Sequence, residues 1–167
     1  MKVNALFRSV FFILSVLKME PVLAQPLQVT RILILKSLHT MYLYAGKQVV
    51  ESYPVALGWN PVGRKIESGD GRTPEGSYII DGRNAHSHYD LSLRISYPNL
   101  ADQARARRFN VNPGGGIYIH GIGYDPSVMQ RARSMKNWTA GCIAVTNAQI
   151  HQIWSLVPLG TPVTIRP

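Results

Sequence analysis

Short segments of alternating apolar and polar residues are the feature that most constrains the fold of this chain. Three of them, QVTRILILKS, TMYLYAG and KQVVESYPVAL, follow one another between residues 28 and 57, with breaks at 37–39 and 45–47. A period of two residues is typical of half-buried strands, so the pattern predicts a meander of antiparallel hairpins. Further strands are predicted at SYIIDG, LSLRISY, IYIH and PVTI. At 167 residues the chain is long enough for one domain.

Two segments predict helices. NLADQARARRF is a short polar helix, and beyond it a second helix is predicted to begin at Asn147, a residue suited to the N-cap. The apolar residues of this second helix follow the spacing of one buried stripe: Ile150, Ile153, Trp154 and Val157. The glycine-rich stretch from 58 to 76 has no periodicity and predicts a long loop, which in a compact domain is often functional. We therefore predict a mostly β fold with two or three short helices.

Residues 1–24 are predicted to be a secretory signal peptide. Lys2 and Arg8 precede an apolar run from 10 to 17, and a possible cleavage site follows at residues 22–24. The run is too short to span a bilayer, and an uncleaved membrane anchor is the alternative interpretation. We therefore expect an exported domain over residues 25–167, located in the periplasm or the cell envelope.

The basic charge of the chain favours anionic partners. The formal net charge is +9, and removal of residues 1–24 takes away three cations and one anion, leaving +7. A basic exported domain is attracted to the anionic polymers and lipid head groups of a bacterial envelope. Apart from Arg105, Arg107 and Arg108 the basic residues are scattered, and no nucleic-acid recognition motif is present, so nucleic acid is not an expected partner.

Cys142 is the only cysteine, so the chain cannot form an internal disulfide. The thiol is either a small buried hydrophobe, which composition alone slightly favours, or a nucleophile. A nucleophile needs a base and oxyanion donors. His120 ends a predicted strand beside Gly121, and Gly141 allows a sharp turn that can direct the N–H groups of Gly141 and Cys142 at one oxygen. Taken from the residues alone this pair is a weak signal, and both interpretations stay open.

Four motifs together resemble the L,D-transpeptidase catalytic domain family of the YkuD type. They are IHG at 119–121 and TAGCIAVTN at 139–147, with GDGRTPEGSY and SLRISYPN upstream, and the similarity extends over most of 35–167. The resemblance implies the β-rich sandwich or barrel of that family, with Cys142 as nucleophile and His120 as base. It also implies that Thr139 shapes the turn and that Asn147 matches the asparagine that follows the cysteine in the family. The oxyanion hole would be formed by the backbone amides of Ala140, Gly141 and Cys142.

The resemblance further implies an activity on peptidoglycan. Members of the family cleave the bond after meso-diaminopimelate in a stem tetrapeptide and form an acyl-enzyme, which an amine resolves in transpeptidation and water resolves in hydrolysis. Such an enzyme contributes to peptidoglycan synthesis, cell wall biogenesis and cell shape. The expected partners are peptidoglycan stem peptides, no metal or other cofactor is implied, and we expect a monomer.

The sequence departs from the family pattern at three places. Ala140 stands where many members have histidine, Ala144 stands where arginine is common, and 18 residues separate His120 from Thr139, slightly more than usual. We expect these changes to leave the acyl chemistry intact and to affect which acceptor and which substrate the protein uses. The alternatives are a hydrolase on the same scaffold, either an L,D-carboxypeptidase or an amidase that releases wall-linked protein, and a non-catalytic wall-binding domain.

Several other residues are candidates for substrate contacts. His86 and His88 would share one face of a strand, and without a catalytic zinc pattern they are interpreted as polar loop residues or groove wall near Tyr89 rather than as metal ligands. Arg72 and Arg94 are candidates to bind stem carboxylates, because arginine grips a carboxylate with two parallel hydrogen bonds. The alternative interpretation is that each is simply part of a solvated basic surface, and the same two interpretations apply to Arg64, Lys65 and Arg83.

Overall fold

The computed structural model describes residues 28–167, so the predicted signal peptide lies outside the described residues. Its eight strands are β1 Arg31–Leu35, β2 Thr40–Ala45, β3 Gln48–Pro54, β4 Gly76–Ser87, β5 Asp90–Ile95, β6 Tyr118–His120, β7 Ile143–Ala144 and β8 Pro162–Arg166. Its three helices are α1 Leu100–Arg108, α2 Pro126–Ser134 and α3 Asn147–Leu156. The mostly β prediction is therefore confirmed. Within the described residues, every helix is too short or too polar to span a bilayer.

The strands form one curled sheet in the order β3-β2-β1-β8-β4-β5-β6-β7. β1, β2 and β3 are the antiparallel meander that the alternation predicts, and β8 returns to pair with β1 in parallel. The long strand β4 joins the two halves of the sheet, since it pairs with β8 near its start and with β5 further along. The register of β4 on β5 shifts between Ile80 and Gly82, which leaves Asp81 as the extra residue of a bulge.

The core lies on one face of this sheet. Its largest buried side chains alternate along the strands, with Ile32 and Ile34 on β1, Leu93 and Ile95 on β5, and Ile119 on β6. α3 closes the core with Ile150 and Ile153, both fully buried, as the predicted stripe requires.

The N-cap of α3 is Thr146 and not Asn147, which corrects the sequence prediction. Thr146 Oγ1 accepts from the Gln149 backbone N–H, and the Gln149 side chain accepts from the Thr146 N–H, a complete capping box. Asn147 is the first helical residue, and its side chain is directed elsewhere. α2, which the sequence patterns did not locate, begins at an Asp125 N-cap followed by Pro126.

The glycine-rich loop is held against the sheet by two buried ion pairs. Lys36 donates to Glu75 Oε1 at 2.7 Å and to two loop carbonyls, and Lys65 donates to Asp70 Oδ1 at 2.8 Å. Burial opposes ionisation of Asp70, but the hydrogen bonds from Lys65 and three backbone amides lower its pKa. The loop is thereby fixed beside the segment that carries the single thiol, where Gly58 forms a bridge with Thr139.

Candidate active site

A pocket of about 310 Å³ opens on the face of β4, β5 and β6 opposite the core. The side chains on this face follow from the register, because Asn84 pairs with Ser92 and Ser92 pairs with His120. The residues that line the pocket are Asn84, Ser87, His88, Tyr89, Ser92, Gly116, Tyr118, His120 and Cys142. The structure therefore brings together the thiol and the histidine that the sequence singled out, along with His88 and Tyr89.

Cys142 lies at the pocket wall, one residue before β7. Because Ile119 pairs with Ile143, the thiol stands beside Tyr118, whose backbone N–H faces the sulfur, and Sγ lies 3.7 Å from the Gly116 carbonyl oxygen. The side chain is half-buried. Burial raises the pKa of the Cys142 thiol, and the Tyr118 N–H and Lys65 only partly oppose this. The resting group at neutral pH is a thiol rather than a thiolate.

His120 is buried, with 2% of its surface exposed, and its ring has a defined tautomer. Nδ1 is hydrogen-bonded to the Gly121 carbonyl oxygen. A carbonyl only accepts, so Nδ1 carries the hydrogen and Nε2 of the neutral ring has a free lone pair. Burial lowers the pKa of His120 to about 4, although the bond to Gly121 acts in the opposite direction. The ring is therefore neutral at pH 7 and able to accept a proton.

Two aromatic rings hold His120 in place. The Tyr89 ring lies 4.4 Å from the imidazole, centroid to centroid, at 30°, and Trp138 meets it edge-on at 5.9 Å. Trp138 was not among the residues identified from the sequence. Its position directly before the TAGC motif is a local feature by which the sequence could have identified it.

The turn that presents Cys142 is built by Thr139 and Gly141. Thr139 Oγ1 donates to the Cys142 carbonyl at 2.7 Å and accepts from the Gly141 N–H at 3.1 Å. Gly141 has φ +132°, and a Cβ there would lie 2.7 Å from the Arg72 carbonyl oxygen, so any other residue would strain the turn. The Gly141 amide is engaged within the turn, whereas those of Ala140 and Cys142 make no hydrogen bond to residues 28–167.

Asn147 clamps the chain that follows His120. Its Oδ1 accepts from the N–H groups of Ile122 at 2.8 Å and Gly123 at 2.9 Å, and its Nδ2 donates to the Gly123 carbonyl. Gly121 packs so closely on this clamp that a Cβ would lie 2.8 Å from Asn147 Oδ1. The side chain of Asn147 thus holds the peptide whose carbonyl orients His120.

The other residues predicted to contact substrate lie at or outside the rim of the pocket. His88 lies at the pocket rim, 3.8 Å from Asp125, while His86 is exposed on β4 outside the pocket lining. In the described part of the chain no three His, Cys, Asp or Glu side chains are grouped to hold a metal ion. Neither Arg72 nor Arg94 is among the residues that line the pocket. The Arg72 side chain lies beside Gly63, whereas Arg94 lies on the same face of β5 as the pocket residue Ser92.

The two alanines that depart from the resembled motif differ in environment. Ala140 is exposed at the turn. Ala144 is buried, exchanges two backbone hydrogen bonds with Ala56, and lines a groove of about 290 Å³ beneath α2.

Comparisons with known proteins identify the family of the chain. The model of the L,D-transpeptidase catalytic domain, the YkuD family, matches residues 29–165. No curated protein matches the sequence significantly.

Among solved structures, the helical cell shape determining protein Pgp2 from Campylobacter jejuni is similar, with TM-score 0.64 and 26% identity over 83% of this chain and 47% of that chain. Bd1075 from Bdellovibrio bacteriovorus has TM-score 0.56 and 24% identity over 84% of this chain and 51% of that chain. The L,D-transpeptidase from Mycobacterium smegmatis has TM-score 0.53 and 15% identity over 81% and 58%.

This chain thus spans about half the length of Pgp2 and of Bd1075. The match of the family model covers most of the chain and includes the pocket, the thiol turn and the histidine strand. The chain belongs to the L,D-transpeptidase catalytic domain family.

Proposed function

We propose that this protein is an exported cysteine acyltransferase that cross-links peptidoglycan stem peptides. The observation that carries the proposal is that Cys142 and His120 line one pocket, with Nε2 of a neutral imidazole as the free proton acceptor. Membership of the family supports peptidoglycan as the substrate, which lies outside the cytoplasm. The predicted signal peptide supports the same location. The similarity to a cell shape determinant extends the proposal to cell wall biogenesis and cell shape.

The first half-reaction acylates the enzyme. Because the Cys142 thiol and His120 are both neutral at rest, the S–H proton passes to Nε2 as the sulfur attacks the carbonyl carbon after diaminopimelate. The oxyanion accepts from the free amides of Ala140 and Cys142, while Gly141 maintains the turn. As the C–N bond breaks, the imidazolium returns the proton to the departing D-amino acid, which leaves a thioester.

The second half-reaction reverses the proton path. An acceptor amine attacks the thioester carbon and loses its proton to His120 Nε2, and the sulfur departs and is reprotonated. A new amide forms and the free thiol is regenerated. If water attacks instead, the same steps release a shortened stem, so the acceptor decides between transpeptidation and hydrolysis.

The test is mass spectrometry of the purified chain incubated with disaccharide-tetrapeptide, with and without a D-amino acid. The variants are Cys142→Ala and His120→Gln, with His86→Gln as the matched control, since His86 is an exposed histidine outside the pocket. Exchange of the terminal residue or dimer formation that requires Cys142 and His120 supports the transpeptidase. Thiol-dependent loss of the terminal residue without exchange replaces it with the hydrolase. Turnover that survives Cys142→Ala refutes both.

A further inference from the structure

Arg94 lies in the same cross-strand row as the thiol. Gly82 pairs with Arg94, and Arg94 pairs with Tyr118, beside which Cys142 stands. All of these positions face the pocket side of the sheet, because the intervening Leu93, Ile95 and Ile119 are buried in the core. The other basic residues considered from the sequence are engaged or remote: Lys65 is paired with Asp70, and Arg83 donates to the Trp154 and Val157 carbonyls.

The guanidinium of Arg94 is oriented before any ligand arrives. Asp81, the extra residue of the β4 bulge, accepts from Nε at 2.8 Å. The group lies across Gly82, where a Cβ would come within 3.3 Å of Nε, so the missing side chain makes room for it. Its terminal nitrogens donate to no atom of residues 28–167, and the side chain is 52% exposed. Both terminal nitrogens therefore remain available to a ligand on this face of the sheet.

The spacing indicates which part of a stem reaches this group. Neighbouring strands are about 4.8 Å apart, so the guanidinium, over β5 and β4, lies roughly 10–14 Å from Cys142. Subtracting about 3 Å for attack on the carbonyl and about 3 Å for a hydrogen bond leaves roughly 4–8 Å between the scissile carbonyl carbon and the bound group. The oxygens of the leaving residue's terminal carboxylate reach at most about 4.8 Å from that carbon, at the short end of this range, whereas carboxylates further along the stem span the rest of it.

We propose that Arg94 is a specificity-determining residue that binds a donor-stem carboxylate several bonds from the scissile carbonyl, on the acyl side of the bond. This inference rests on the proposed function. Two groups of the stem share this chemistry: the carboxylate at the far end of the diaminopimelate side chain, and the α-carboxylate of the preceding γ-linked glutamate. A planar guanidinium held at Nε by Asp81 binds either one through two charge-assisted hydrogen bonds.

The test compares stems with free carboxylates, stems amidated at diaminopimelate, and stems amidated at glutamate. The variants are Arg94→Gln, Arg94→Lys, and the double variant Arg94→Gln/Asp81→Asn, which leaves no unpaired carboxylate at the bulge. Arg107→Gln, on the exposed face of α1, is the charge-matched control. Circular dichroism establishes that each variant is folded, and binding to the Cys142→Ala chain by calorimetry gives a readout independent of turnover.

Arg94→Gln is expected to lower kcat/KM on the free stem roughly 10- to 100-fold, and Arg94→Lys is expected to restore only part of it. On the stem amidated at the contacted position, wild type and Arg94→Gln should be equal, which identifies the carboxylate. If Arg94→Gln has the same effect on all three stems, or none, the inference is overturned while the proposed function stands. If wild type neither turns over nor binds any stem, both are overturned.

Discussion

Lowering the pH from 7.5 to 5 is expected to reduce the unfolding free energy of the wild-type chain by about 2 kcal/mol more than that of a His120→Gln variant. The cause is burial of the imidazole, which lowers the pKa of His120 from 6.5 to about 4 in the folded chain. Once the chain unfolds, the ring returns to its ordinary pKa and takes up a proton more readily. Between pH 6.5 and 4 the unfolded state therefore binds more protons than the folded state, so stability falls as the pH falls.

The size of the effect follows from the two pKa values. Each pKa unit corresponds to about 1.4 kcal/mol, and the linkage grows from near zero at pH 7.5 to about 2 kcal/mol at pH 5 and about 3 kcal/mol at pH 4. Below pH 4 the folded ring also protonates and the loss levels off. Glutamine keeps a polar side chain but removes the titration.

The assay is urea unfolding of both proteins across this pH range. All other ionisable groups are common to the two proteins, so the difference between the two curves isolates His120. An offset between the proteins that stays constant from pH 7.5 to 4 would show that the folded ring titrates normally. It would also remove burial as the reason that the His120 ring is neutral.

Three further outcomes follow from the same geometry. Gly141→Ala should lower the unfolding free energy by about 1–3 kcal/mol, because φ +132° disfavours an L residue and the new Cβ meets a carbonyl oxygen; an unchanged melting temperature would contradict this. Lys36→Met should cost about 3–5 kcal/mol in denaturant unfolding, since it removes the 2.7 Å partner of buried Glu75 and leaves only the half-exposed Arg64 at 4.0 Å, and Lys36→Met/Glu75→Leu should recover most of the loss. Alkylation of Cys142 by iodoacetamide should be slow at pH 7 and still accelerate above pH 9, because burial raises the thiol pKa; a plateau at neutral pH would indicate a resting thiolate.

Elements defined by local patterns were predictable from the sequence. The β1–β3 meander and the α3 stripe depend on periodicities of two and 3.6 residues, and each periodicity can be read within the sequence of one segment. Two further features have local signals in the sequence. The Thr146 to Gln149 spacing marks a capping box, which distinguishes Thr146 from the adjacent Asn147 as N-cap, and Asp125-Pro126 marks the start of α2.

The electrostatics of the site depend on contacts that no local pattern contains. The pairing of Asp81 with Arg94 requires the bulge of β4 and its register on β5, and the packing of Tyr89 and Trp138 against His120 joins three distant segments. The motifs predict which residues carry the chemistry. Their protonation states follow only from the burial that these contacts produce.

The segment between His120 and Thr139 is likewise positioned by contacts with distant residues. At its start, Asn147 holds the N–H groups of residues 122 and 123; at its end, Asn137 Oδ1 accepts from the Leu57 N–H at 3.2 Å and lies 3.1 Å from His39 Nε2. Both ends are thus fixed by the body of the domain rather than by α2 between them. The segment between these ends, which includes α2, can therefore differ in length or course without displacing His120 or Cys142, so the pocket residues and the surface around α2 are free to vary separately.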